Sequence, residues 1–174
     1  MDATAMLREF CDAVERRDGR RFADLFCEDG VYHDAFYGEF AGQKKIAEMI
    51  NDWFFKSATD MRWDMHDPVC DGKILYARYI FSYTSLLPEA SGRRAMFEGV
   101  AIMRLRDGRI ADYREVANTG PGFADMNFAP ERQTGPDVVL NDVNHDVSPF
   151  RLCAEAVQFF CGSPTTMKGA QYFG

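Results

Sequence analysis

No stretch of the 174 residues approaches the run of about 18 apolar residues that a membrane-spanning helix needs. The first eight residues carry Asp2 and Arg8 where a secretory signal needs an apolar core, so no signal is expected there. Basic runs are equally scarce. None exceeds a pair such as Arg16-Arg17 or Arg20-Arg21, in a chain with 20 Lys and Arg against 27 Asp and Glu and a net charge of −7. A field of that sign repels phosphate backbones, which argues against nucleic acid and anionic membrane surfaces as partners. Five cysteines (Cys11, Cys27, Cys70, Cys153 and Cys161) form no C-x-x-C pair, so neither a zinc site nor a redox dithiol is indicated and a reducing cytoplasm is expected. His33, His66 and His145 have no metal-ligand spacing, and no dinucleotide fingerprint, phosphate loop or nucleophile elbow is present. The expectation is a protein that needs no metal, flavin or nicotinamide.

What is there suits a globular fold. Apolar residues make up 47% of the chain, and a chain of this length buries roughly 70% of the surface its unfolded form exposes, enough for one domain without disulfides. Met6, Leu7, Phe10, Cys11 and Val14 recur at helical spacing behind Asp2 and Thr4, and Asp18-Gly19 marks the stop. A second short helix is predicted over Arg21 to Glu28, a short strand over Val31 to Asp34, and a turn or loop at Tyr37 to Phe40. The third helix, Gln43 to Lys56, has Ile46, Met49, Ile50, Trp53 and Phe54 on one face. After Ser57 the period changes from 3.6 to 2: strands are predicted over Arg62 to Val69, Lys73 to Ser85, Arg93 to Arg106 and Arg109 to Asn118, the last two joined by a hairpin at Asp107-Gly108. Helices first and an antiparallel meander afterwards means α+β architecture.

At Gly120-Pro121-Gly122 the composition shifts. Residues 121–174 hold five of the seven prolines and nine charged residues, and their one periodic piece is Pro149 to Cys161. So few apolar positions could hardly bury a core of their own, so this reads as an arm carrying one helix, packed on the same domain or on a partner subunit.

Three segments carry a family likeness. Phe22 to Asp34 (FADLFCEDGVYHD) is similar to an L-F-x-x-D-x-x-x-x-D pattern, Phe40 to Ile46 (FAGQKKI) to a G-x-x-x-I pattern, and Leu105 to Glu115 (LRDGRIADYRE) to a last hairpin reading L-x-D-G-K-I with an acid further on. In this order and spacing they resemble the NTF2-like superfamily over about residues 5–120, and Asn127 to Arg132 (NFAPER) resembles a tail of its SnoaL-like members. The resemblance implies a cone over residues 1–120, a curved sheet wrapped around three N-terminal helices, with an apolar pocket between them. In the members that are isomerases, cyclases, dehydratases or epoxide hydrolases, pocket carboxylates move protons, because a desolvated carboxyl has its pKa pushed toward working pH.

Carried onto this chain, the resemblance places Asp34 where the isomerase-like members keep their proton-shuttling Asp; as a residue ending a strand, it could equally be an acceptor for the following turn. The oxyanion tyrosine of those members falls at Phe10 and their second oxyanion acid at Ala101, so an isomerase oxyanion hole is not expected in that form. Glu115, which follows Arg114, and Arg78 stand where epoxide-hydrolase-like members hold an Arg between two carboxylates, with Ile80 in place of the third partner and an ordinary Arg–Glu pair across neighbouring strands as the alternative. The cyclase-like acid falls at Asn118. Tyr32, Trp53, Trp63, Phe97, Met103 and Tyr113 are the expected ligand contacts or, failing that, core. The expectation is cofactor-independent acid/base chemistry on a small apolar molecule, with Asp34, Glu115 and Arg78 catalytic. The competing reading is a non-catalytic binding or dimerisation module. Strands rich in Tyr, Ile and Phe on both faces from Ile74 to Tyr83 imply a homodimer through the outer face of the sheet.

Overall fold

The structure, a computed structural model, describes residues 2–34 and 37–128. Helix α1 (Ala3–Glu15) starts at Asp2, whose carboxylate accepts the Ala5 N–H, and buries Met6, Leu7, Phe10, Ala13 and Val14 along one face. It ends where Arg17 turns left-handed (φ 56°), the Arg17 and Asp18 N–H groups closing back on the Val14 and Ala13 carbonyls at 2.9 and 2.8 Å. Asp18 then caps α2 (Gly19–Ala23) by accepting the Arg21 N–H at 3.0 Å. A Cβ on Gly19 would lie 2.3 Å from the Ala47 carbonyl oxygen, so only glycine lets α2 pack this close to the third helix.

Helix α2 is one turn long and does not run from Arg21 to Glu28 as the spacing predicts. From Phe26 the chain is already strand β1 (Phe26–Asp34), and the Leu25 carbonyl accepts the Ile110 N–H from the sheet at 2.9 Å. Spacings of three and four in so short a segment fit a turn followed by a strand as well as a helix. Tyr37 to Phe40 is likewise more than a loop: β2 (Gly38–Ala41) pairs antiparallel with β1 in the register Tyr32↔Phe40. Helix α3 (Gln43–Glu48) continues as a π-helical turn, Met49–Phe54, burying Ile46, Met49, Ile50 and Phe54 but leaving Trp53 half-buried, because the wider winding rotates it off the core face.

Four long strands follow: β3 (Ala58–Cys70), β4 (Ile74–Ser85), β5 (Arg94–Arg106) and β6 (Arg109–Asn118). The single six-stranded sheet has the order β2-β1-β6-β5-β4-β3, antiparallel throughout except for the parallel pair β1 and β6. Asp107 (φ 52°) and Gly108 (φ 75°) make the left-handed hairpin that the sequence predicts between β5 and β6. Register shifts in β3 coincide with left-handed Asp60 (φ 49°) and Asp67 (φ 53°); such bulges bend and twist a strand, which suits a sheet curled around a helix. The result is a mixed α+β fold with an unclosed, curved sheet whose concave face packs on α1.

Where the composition shifts, the chain does not leave the body at once. Helix α4 (Gly120–Asp125) lies on β5, with Phe123, Met126 and Phe128 in a second apolar cluster with Ala90, Ala95 and Phe97. A Cβ on Gly122 would stand 2.3 Å from the Phe97 ring, so glycine permits that contact too. The helix expected over Pro149 to Cys161 lies outside the described residues. No helix among the described residues is long and apolar enough to cross a membrane.

Candidate active site

Alternation along the strands decides which side chains enter the cone. On β6, Tyr113, Glu115 and Ala117 face inward; on β4, Tyr79, Phe81 and Tyr83 do; on β1, Tyr32 and Asp34. Between these strands, the end of the π-helical turn and α4 lies a cavity of about 100 Å³. That is below the roughly 300 Å³ at which drug-sized pockets begin, and nearer the size of a cavity that admits one small ring.

Two carboxylates line it, Asp34 and Glu115. Asp34 ends β1, half-buried, and its Oδ1 accepts the Tyr37 N–H at 2.8 Å, so it both closes the turn and borders the cavity. Glu115 is held by phenols: the Tyr113 hydroxyl donates to its Oε2 at 3.1 Å, and the Tyr79 hydroxyl also donates to it. Burial, then the field of Glu115, pushes the Tyr79 and Tyr113 phenols far above their ordinary range, so both stay protonated donors. Burial raises Tyr37 to about 12 despite a bond from Ser57. Tyr32 stacks on Tyr113 (centroids 4.3 Å apart, planes within 12°), its buried hydroxyl beside that of Tyr113 without a well-formed hydrogen bond.

The expected site residues divide accordingly. Asp34, Glu115, Trp63 and Phe97 line the cavity. Arg78 does not: with Tyr79 pointing in, Arg78 points out, exposed, and pairs with Asp67 at 3.5 Å. Its place beside Glu115 is taken by phenols, not by a guanidinium. Arg114 also faces outward, bonded to Asp112 at 3.0 Å, so adjacency to Glu115 does not make an ion pair. Tyr32, Met103 and Tyr113 are fully buried one layer behind the cavity, and Trp53 packs on Tyr37 and Phe40 outside it. These four are wall or core, because inward-facing bulk at the narrow end of a cone meets its neighbours before it meets a ligand. The Tyr79–Glu115–Tyr113 arrangement lies outside the expected catalytic set. Its signal was the Tyr113-x-Glu115 spacing, which puts both on one face of β6.

Gly99 makes that arrangement possible. It lies opposite Tyr79 on β5, and a Cβ there would come within 2.3 Å of the Val116 carbonyl oxygen and 2.7 Å of the Tyr79 hydroxyl. Gly99→Ala is therefore expected to lower stability by about 1–3 kcal/mol and to pull the Tyr79 hydroxyl off Glu115. Urea unfolding checks this, and an unchanged midpoint would show that β5 yields freely.

A curved, unclosed sheet over an N-terminal helical layer, with an aromatic cavity between them, defines the NTF2-like class. Within that class the chain belongs to the SnoaL-like domain family, whose model matches residues 7–113. A sequence comparison with curated proteins finds no match. Among solved structures the chain is similar to an LEH-like epoxide hydrolase from M. tuberculosis (17% identity, TM-score 0.59, covering 72% of this chain and 89% of that one). It is also similar to a protein with a ketosteroid isomerase-like fold from Catenulispora acidiphila, in complex with trimethylamine (13%, TM-score 0.62, 72% and 97%). A third is IdmH, a proposed polyketide cyclase from Streptomyces antibioticus (17%, TM-score 0.57, 74% and 100%). At these identities the likeness establishes the shared fold.

Proposed function

We propose that the protein is a small-molecule enzyme carrying out acid/base chemistry without a cofactor, an isomerisation, cyclisation, dehydration or hydrolysis, in the cavity between sheet and α4. Asp34 is its general base. Glu115, oriented by Tyr113 and Tyr79, is the second carboxylate. The observation that carries this reading is that both carboxylates border one aromatic cavity, where desolvation makes proton transfer to a carboxylate worthwhile. The substrate is small and largely apolar; a molecule the size of the trimethylamine held by the C. acidiphila protein is of the scale the cavity admits.

The test needs no known substrate. Small ketones and lactones incubated with the protein in D2O are expected to exchange an acidic C–H for deuterium faster than with heat-denatured protein, read by proton NMR. No exchange across such a panel, together with no hydrolysis of small epoxides, counts against catalysis and favours the binding module.

The protein acts as a homodimer in the cytoplasm on this reading. Ile80, Met96 and Val116 are exposed on the outer face of adjoining strands β4, β5 and β6, interleaved with Arg78 and Glu98, a mixed apolar and charged face that supports pairing with a second copy. Light scattering at micromolar concentration is expected to give twice the chain mass; monomer alone would refute the dimer.

A further inference from the structure

Nine of the seventeen residues around the cavity are aromatic, and the only ionisable side chains among them besides tyrosine are two carboxylates; none of these described residues is Lys, Arg or His. The rings form a continuous band. Trp63 lies 4.7 Å from Phe81, Phe81 5.8 Å from Tyr83, Tyr83 5.9 Å from Phe97 and Phe97 6.0 Å from Phe123, at interplanar angles from 29° to 77°. A ring face carries negative potential, so a cavity bordered by this many rings can offer faces to a cation. The fields of Asp34 and Glu115 add to it, and they reach far enough into the cavity to help raise the Tyr79 phenol, as that of Asp34 does for Tyr83 and Tyr37, in each case after burial itself.

We propose that this cavity is a cage for a small organic cation, a quaternary or protonated tertiary ammonium with apolar substituents. The inference rests on the cavity's being the ligand site and adds the charge of the ligand. An anion would meet two carboxylates and, among the described lining residues, no cationic side chain. A metal ion needs converging donors, and among the described residues no three His, Cys, Asp or Glu side chains gather to hold one. An alkylated ammonium is different: it is weakly hydrated, so entering the cage costs it little, its alkyl groups satisfy the apolar walls, and its charge offsets the cost of keeping carboxylates out of water.

Calorimetric titration of the full chain at low salt with choline and with its neutral carbon isostere, 3,3-dimethylbutan-1-ol, separates charge from shape. Choline is expected to bind about tenfold more tightly or better. In Glu115→Gln most of that ratio should vanish while the isostere still binds, which also shows the variant folded. Trp63→Phe, keeping a ring of weaker face potential, should lose part of it. Equal affinities for the two probes overturn the cation cage and leave the cavity reading standing. A ratio untouched by Glu115→Gln overturns it as well, by placing the cation elsewhere. No binding of either probe defeats the cavity reading and the cage together.

Discussion

Asp34→Asn is expected to lose proton-transfer activity by a factor of about 10²–10⁴ while changing stability by no more than about 1 kcal/mol, a melting shift of a few degrees at most in a chain of this size. The two halves have separate causes. An amide cannot take up a proton near neutral pH, so the base is gone. The turn, however, survives: the Tyr37 N–H that Asp34 Oδ1 accepts at 2.8 Å finds a carbonyl oxygen in the same place on Asn. What that bond loses in charge assistance is offset by no longer holding a carboxylate beside a mostly apolar cavity. Asp34→Ala removes the acceptor as well and should cost a further 1–2 kcal/mol or so. If Asp34→Asn alone unfolds about 1–3 kcal/mol more easily, the charge was there for the turn and the catalytic assignment falls. Melting curves decide that without any substrate. Turnover of a substrate found by deuterium exchange decides the rest.

How much of this was legible in the chain follows from what each period can encode. The strand alternation from Trp63 to Asn118 gave the four long strands and the hairpin at Asp107-Gly108, because period 2 sustained over ten residues has no helical rival. It could also have placed Arg78: a residue beside an inward Tyr79 must face out, and only the family pattern suggested otherwise. The short elements were harder. Phe22, Leu25 and Phe26 satisfy a helix and a turn-plus-strand alike, and the choice falls to the parallel pairing of β1 with β6, a contact across more than eighty residues. Helix α4 was hidden for another reason. Gly120-Pro121-Gly122 reads as a breaker, yet proline suits a first helical turn and Gly122 is what lets the helix lie against Phe97. At the site, the two carboxylates and the Tyr113-x-Glu115 spacing are visible in the sequence, whereas the Tyr79 phenol beside Glu115 depends on the cross-strand position of Gly99.

The largest loss of stability is expected from Phe10→Ala, about 3–5 kcal/mol and a fall in melting temperature of roughly 10 °C or more. Phe10 is fully buried and is the hub of the aromatic core: its ring meets Phe22 edge-on at 4.6 Å and Trp63 at 5.2 Å, and stacks on Tyr113 at 5.3 Å. Truncation removes the transfer energy of a phenyl ring, three aromatic pairs, and the support that keeps a cavity from opening between α1 and the sheet. Phe10 rests on Tyr113, whose hydroxyl donates to Glu115, and so helps hold that ring in place. Phe10→Leu should therefore recover more than half of the lost stability, since it refills most of the volume, while recovering less of any activity, since a branched alkyl does not stack Tyr113 against Glu115. Equal recovery of both would show that volume alone matters at this position. A loss below about 1 kcal/mol in Phe10→Ala would mean that α1 closes over the gap, and that the aromatic hub is not what fixes the floor of the cavity.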